Sequence, residues 1–215
     1  MGTTDNPLFA DIQEQDREVL LSCLNAYTRS YRKGDLLHLD ALEHRDVGIV
    51  LSGALHMVKE DVWGHQSLVA YLGIGSLFGE SEALEPESET HVSYIAAADT
   101  QVIFVPLDRV LHPCKRQCPF HTSIARNMFR LMGQKNALLL DKIEVSSKSS
   151  LREKILSYLK MLSERQGGKY IRVPLNRTDM ASYLQSNRSA MTRELSDMQA
   201  DGIIDFDGNT FVLKT

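Results

Sequence analysis

Apolar residues change their spacing several times along this chain. Between residues 8 and 25 they come in helical steps: Leu8, Phe9, Ile12, Val19, Leu20, Leu21 and Leu24 form one side of an amphipathic helix interrupted by acids and glutamines. From 28 to 106 the apolar runs shorten, and glycine recurs at positions 34, 48, 53, 64, 73, 75 and 79. This stretch predicts strands over 28–31, 36–39, 47–51, 54–60, 66–72, 93–98 and 101–106. Asp61-Val62-Trp63-Gly64 supplies a hairpin turn between two of them. Many short strands at near-regular spacing imply a small antiparallel barrel or roll.

A helical period returns from 119 to about 145. Ala125, Phe129, Met132, Asn136, Leu139 and Ile143 follow a heptad seam with one polar member. Ile124, Met128, Leu131 and Leu138 form an adjoining stripe. Such a helix is ~40 Å long. One stripe can pack on the roll while the other packs on a partner, most simply a second copy of the chain; the core helix of a monomer is the alternative. Val145-Ser146-Ser147-Lys148-Ser149-Ser150 is small and polar and reads as a hinge. Beyond it the pattern predicts a helix over 151–165, a stop at Gln166-Gly167-Gly168, a strand over 170–173 and a short helix over 176–185 with Asn176 and Asp179 as a capping pair. A second short helix covers 187–198, and strands over 203–206 and 210–213 flank Asp207-Gly208-Asn209. Helix, strand, helix, tight turn, helix, hairpin is the order of a winged helix-turn-helix, in which the second helix of the pair enters the major groove of DNA.

That second helix has two unlike faces. Met191, Leu195 and Met198 repeat at i, i+4 and i+7 and predict a buried stripe. Arg188, Ser189, Thr192 and Arg193 fall away from it, and Asn187 is suited to cap the helix start. An arginine fork matches O6 and N7 of guanine, and hydroxyls reach bases or phosphates. A solvated charged face is the plainer reading of such a front.

The totals sharpen this picture. The chain has 215 residues, 43% of them hydrophobic, which is enough for one large core or two smaller ones. A net charge of −4 argues against a generally basic nucleic-acid binder, but the charge is unevenly spread. Residues 151–215 hold 10 Lys+Arg against 8 Asp+Glu, whereas residues 1–150 hold 14 against 20. A polyanion would therefore dock on the C-terminal part. No apolar run is long enough to cross a bilayer, the N-terminus has no signal-peptide pattern, and Cys23, Cys114 and Cys118 make no disulfide framework, so the expected compartment is the cytoplasm.

Taken in order, these segments resemble the Crp/Fnr family of bacterial transcription regulators over nearly the whole chain. Val47-Gly48-Ile49-Val50-Leu51-Ser52-Gly53-Ala54-Leu55 is similar to the family's early roll strands. Leu72-Gly73-Ile74-Gly75-Ser76-Leu77-Phe78-Gly79-Glu80 is similar to its L-x-x-G-x-x-x-G-E segment. Arg177-Thr178-Asp179-Met180-Ala181 followed by Asn187-Arg188-Ser189-Ala190-Met191-Thr192-Arg193-Glu194-Leu195 is similar to its DNA-reading unit. The resemblance implies an α+β protein in three parts: a β-roll sensing domain with an N-terminal helix (1–118), a dimerisation helix and hinge (119–147) and a winged helix-turn-helix (148–215). It implies a homodimer joined through residues 119–145, a palindromic double-stranded DNA operator, RNA polymerase as a further partner, no membrane and no enzymatic activity. Bases would be read from Arg188, Ser189, Thr192 and Arg193, and Arg177 would hold a phosphate. Two departures stand out. Ser189 replaces the glutamate of many members, which removes an acceptor for cytosine and should change the operator. Gln185 stands where glycine is common in the turn, which argues against a perfect left-handed turn there.

For the sensing domain, the resemblance points to Leu77, Gly79, Glu80, Val92, Ser93, Asn136, Leu139 and Leu140 as the effector pocket. Cyclic-AMP-binding members hold the phosphate with an arginine at the position of Val92 and the ribose with the glutamate matching Glu80. From Glu60 to Asp108 there are nine acids and no lysine or arginine. A buried cyclic phosphate needs a paired cation or several donors, so cyclic AMP is not the expected effector. A neutral or apolar effector, or none, fits better. Glu80 then reads as an acid favoured by a helix N-terminus. His112, Cys114, Cys118 and His121 lie within ten residues and could hold zinc or an iron centre or form a thiol switch, although their spacing matches no zinc motif; incidental residues in a connector are the alternative. His38, His56, His65 and His91 could serve a haem but read more simply as exposed strand histidines. A cupin-type enzyme would need histidines and a carboxylate converging inside the barrel, and the roll has no His-x-His pair.

Overall fold

The computed structural model describes residues 6–37, 45–85, 92–112 and 120–214. The chain divides into two compact units, Met1–Lys59 with Leu72–Ala137 and Glu60–Tyr71 with Leu138–Thr215.

The first unit opens on a 3-10 turn at Pro7–Phe9, not on a helix from residue 8. Asn6 caps the turn by accepting from the Leu8 N–H at 3.0 Å. Asp11 takes a left-handed backbone, with φ 62°, which separates the turn from helix α1, Glu14–Leu24. The apolar positions at Leu8, Phe9 and Ile12 are nonetheless buried, because the turn and the helix feed one core. The strands that follow are β1 (Tyr27–Tyr31), β2 (Leu36–Leu37), β3 (Asp46–Ser52), β4 (Leu55–Glu60), β5 (Gln66–Leu72), β6 (Leu77–Phe78), β7 (Ser93–Ala96) and β8 (Thr100–Pro106). Within this unit they form two antiparallel sheets, ordered β1-β8-β3-β6 and β2-β7-β4, while β5 falls almost wholly in the second unit. Two short helices, α2 (Glu80–Leu84) and α3 (Leu107–Leu111), complete this unit with the first part of α4. Gly48 permits the close approach of β6 to β3, since a Cβ there would lie 2.3 Å from the Phe78 ring.

Helix α4 runs His121–Ser146, within about two residues of the seam read from the sequence. Its stripe Ile124, Met128 and Leu131 joins the core of Leu20, Leu24, Val47 and Val105. Each such side chain contributes ~1.5–3 kcal/mol by leaving water. Asn127, fully buried, adds a polar pin by donating to the carbonyls of Leu8 (2.9 Å) and Ala10 (2.7 Å). The seam is partly open: Phe129 is 69% and Ile143 63% exposed, with the neighbouring Leu140 at 58%, while Ala125 and Met132 pack partly against the core.

In the second unit, α5 (Leu151–Gln166) starts with a full capping box, Ser150 with Glu153, and ends at Gly167 in the left-handed region. The order continues β9 (Ile171–Arg172), α6 (Arg177–Tyr183), α7 (Arg188–Ala200), β10 (Ile204–Asp207) and β11 (Thr210–Leu213). The hairpin is not a two-stranded wing standing alone. It pairs with β9 in the order β10-β11-β9, through Thr210↔Arg172 and Phe211↔Ile171. Among the described residues no helix is long and apolar enough to cross a membrane.

Candidate nucleic-acid interface and control site

The two helices α6 and α7 are each started by an asparagine. Asn176 Oδ1 accepts from the N–H groups of Thr178 (2.8 Å) and Asp179 (3.0 Å), and Asn187 Oδ1 accepts from that of Ala190 (2.7 Å). Asparagine suits both ends because its short side chain reaches the free first-turn donors. The tight turn between the helices holds Gln185 in the left-handed conformation, φ 53°, and is closed by the Ser186 N–H on the Ala181 carbonyl at 2.9 Å. The left-handed turn therefore forms although glutamine stands where the sequence argued against it, at the strain cost of a Cβ in that region.

Helix α7 has the two faces its spacing implies. Met191, Leu195 and Met198 are buried, at 0%, 1% and 0% exposure, while Arg188, Ser189, Thr192 and Arg193 are exposed. The Thr192 hydroxyl donates to the Arg188 carbonyl at 2.8 Å, so its oxygen faces outward mainly as an acceptor. Glu194, next to Arg193, is not part of the front. It receives Arg152 Nε at 2.6 Å, and the same guanidinium reaches Asp201 at 2.8 Å. Arg152, at the start of α5, thus grips α7 at Glu194 and at its C-cap, Asp201. Behind α6, Tyr158 and Tyr183 pack at 4.9 Å between ring centroids. Lys142 of α4 donates to the Tyr183 carbonyl and lies 4.0 Å from its ring centroid. Burial, with a smaller contribution from Lys154, lowers its ammonium to a pKa of about 8.

Arg177, expected on a phosphate, is turned toward the wing. Its guanidinium carbon lies 4.8 Å from the Phe211 ring centroid and 5.1 Å from that of Phe206, and Nη2 donates to the Gly208 carbonyl. Burial lowers its pKa from the ordinary arginine value.

The residues assigned to an effector pocket differ in burial and partners, and all but Leu139 and Leu140 belong to the first unit. Leu77 is buried, and Gly79 donates its N–H to the Tyr94 hydroxyl at 3.3 Å. Glu80 lies in the first turn of α2, as a helix N-terminus favours, but it is also ion-paired. Lys135 Nζ reaches Glu80 Oε1 at 2.7 Å and Oε2 at 2.9 Å, and the two side chains are 8% and 14% exposed. The same ammonium lies 5.9 Å from the Tyr94 ring. Burial, with the carboxylates of Glu82 and Glu80 nearby, pushes the Tyr94 phenol far above its usual pKa. Val92 is half-buried, Ser93 and Asn136 are exposed, Leu139 is half-buried and Leu140 exposed.

Sequence reasoning missed Lys135 as a site residue, yet a signal was there. It continues the spacing of Ile124, Met128 and Leu131, so a charge sits inside an otherwise apolar stripe. The stretch without cations from Glu60 to Asp108 obtains one from outside its own sequence. Arg152 and the two wing phenylalanines were also missed; nothing local marks them as partners of α7 and Arg177.

Cys114, Cys118, His38 and His91 lie outside the described residues. His121 is buried and sets Nε2 at 3.2 Å from the Arg109 carbonyl, and His112 sets Nδ1 at 3.0 Å from that of Asp108. Among the described residues no group of three or more histidine, cysteine and carboxylate side chains is placed to hold a metal. His65 is exposed at the hairpin turn, 3.2 Å from Asp61, and His56 is half-buried on β4.

Comparison with known proteins bears on both units. Residues 28–117 match the cyclic nucleotide-binding domain family, and residues 153–214 match the Crp-like helix-turn-helix domain family. The cyclic AMP receptor protein of Thermus thermophilus is 22% identical over 200 residues, covering 93% of this chain and 88% of that protein. The transcriptional activator protein FnrL of Cereibacter sphaeroides is 24% identical over 88% of this chain and 77% of its own length. Among solved structures, a variant of CooA from Carboxydothermus hydrogenoformans has a TM-score of 0.74 at 20% identity, covering 100% of this chain and 94% of that one. The c-di-GMP responsive regulator CLP of Xanthomonas campestris has a TM-score of 0.70 at 17% identity, covering 94% of this chain and 100% of its own.

Proposed function

This chain belongs to the Crp/Fnr family of DNA-binding transcription regulators, and we propose that it acts as a homodimer whose two α7 helices read a palindromic operator. The observation that carries this reading is the construction of α7. Its back is fixed by Met191, Leu195 and Met198, and its front presents Arg188, Ser189, Thr192 and Arg193 to solvent. Arg188 and Arg193 each offer a fork for guanine, while Ser189 offers only a hydroxyl, which shifts the preferred bases away from the family's commonest operator. The exposed seam of α4, from Phe129 through Asn136 to Ile143, is the surface that would pair the two copies. The two half-sites then lie about one helical turn apart, ~34 Å. RNA polymerase is the further partner in this reading.

The regulating molecule, in this reading, is small, neutral or apolar, and not a cyclic nucleotide. What supports this is Lys135, whose ammonium already lies on Glu80 in a nearly closed site. A nucleotide phosphate there would meet Glu80, and no lysine or arginine from Glu60 to Asp108 is available to hold it. An effector would act by shifting the population of two dimer geometries.

Selection from a random pool of duplex DNA by the purified protein, with and without cell extract, tests the proposal. Enrichment of a palindrome is expected, and dependence on extract would reveal the effector. Failure to enrich any sequence under both conditions would overturn the reading.

A further inference from the structure

We infer that Arg177 is a positioning residue for the wing, not a phosphate anchor. The inference rests on the DNA-binding reading above but concerns a different task.

Three observations converge on it. Arg177 is the first residue of α6, directly after the Asn176 cap, so its backbone is fixed to the helix pair that presents α7. Its guanidinium lies over both Phe206 and Phe211, one on each strand of the hairpin and directly paired across it. Those two rings are themselves packed at 5.4 Å. Finally, Nη2 donates to the carbonyl of Gly208, which has φ 53° and lies in the two-residue turn between Asp207 and Thr210.

A flat, delocalised cation can meet two ring faces and a carbonyl at once, because its charge is spread and its donors lie in its plane. Lysine, a compact and strongly hydrated charge, would not reproduce this. The far end of the turn is held independently, by the Val173 N–H on the Asn209 carbonyl at 2.9 Å. Arg177 therefore ties the tip of the wing to α6, beside the attachments to β9 made by Thr210 with Arg172 and by the Val173 N–H on Asn209. Without it, Gly208 loses its hold on α6, and the wing meets the DNA backbone less often in register with α7.

A phosphate contact and a wing brace leave different signatures. Each phosphate contact removed lowers the slope of log K against log salt by about 0.9. A brace changes affinity with the slope intact. The test uses the full chain with Arg177→Met and Arg177→Lys, on the duplex that the wild type enriches from the random pool. Amide hydrogen exchange is followed in the protein alone.

The expected result is faster exchange over Ile204–Leu213 in both variants, with α5 and α7 unchanged. Operator affinity should fall ~tenfold in Arg177→Met, the scale of a desolvated cation–π contact, with an unchanged salt slope. A slope lowered by about 0.9 for each Arg177 removed, or wing exchange that stays at the wild-type rate in Arg177→Met, overturns the inference. A variant too unstable to assay is replaced by Arg177→Gln, read by the same two measurements. A wild type that binds no duplex above background counts against the DNA-binding reading instead, since the exchange measurement needs no DNA.

Discussion

Arg188 and Arg193 are both exposed on α7, whose Met191, Leu195 and Met198 are buried. Truncating either to alanine should cost ~1–3 kcal/mol of operator binding and relax the preference at one base pair. Titrating each variant against operators changed one base at a time checks this; equal losses on all sequences would reassign the side chain to the phosphate backbone. Gln185 poses a different question, because it takes φ 53° with a Cβ. Gln185→Gly should raise the unfolding free energy by up to ~1 kcal/mol, with left-handed strain relief exceeding the added backbone entropy. Chemical denaturation reads the difference, and a destabilised variant would show that the glutamine side chain makes up for its backbone. Lys142 is displaced from its ordinary pKa of 10.5 to about 8, chiefly by burial. Between those two values the unfolded chain holds a proton that the folded chain has released. Stability of the wild type should therefore rise relative to Lys142→Met as pH climbs from about 8 toward 10.5, and stay level relative to it below 8. Paired denaturation curves across that range give the answer; a difference that does not change with pH would mean the amine stays charged.

At the scale of elements, what was legible in the sequence follows from length and periodicity. Helix α4 could be placed to within about two residues because it carries 26 residues of heptad spacing. Helix α7 was legible from three apolar positions because an asparagine marks its start. By contrast β6 has 2 residues and α2 and α3 have 5 each, too few for any period to emerge. The first turn of the chain was read as helix because Leu8, Phe9 and Ile12 have helical spacing, but Pro7–Phe9 forms a 3-10 turn and Asp11 breaks the run. The ion pair at Glu80 was least legible. Glu80 could be read as a helix-start acid, yet its partner is 55 residues away, on another element. Periodicity assigns faces to helices, not partners to charges. The pairing has a direct consequence. Lys135→Met leaves a carboxylate nearly buried and unpaired and should destabilise the first unit by ~3–5 kcal/mol, whereas Lys135→Met combined with Glu80→Gln should recover most of that loss. Urea unfolding of the single and double variants decides it; a double variant as unstable as the single would mean that Lys135 acts through packing instead.

For the whole molecule, the exposed apolar positions on α4 are a feature that a single chain leaves unexplained. Phe129, Leu140 and Ile143 are exposed along one helix whose opposite stripe is in the core. A second copy joined there would carry a second α7, which is why the account requires an operator with two half-sites and not one. Order along the chain was enough to read this organisation from sequence, because roll, long helix and helix-turn-helix each carry a distinct spacing of apolar residues. The surroundings of Glu80 were not legible, since its charge partner is a lysine supplied from elsewhere in the fold. The claim that two α7 helices act together is tested most directly by inserting about five base pairs, half a helical turn, between the half-sites of the enriched palindrome. The account predicts that affinity falls to the level of a single half-site, because the second half-site then faces the opposite side of the duplex. Affinity equal to that of the unmodified palindrome would contradict it.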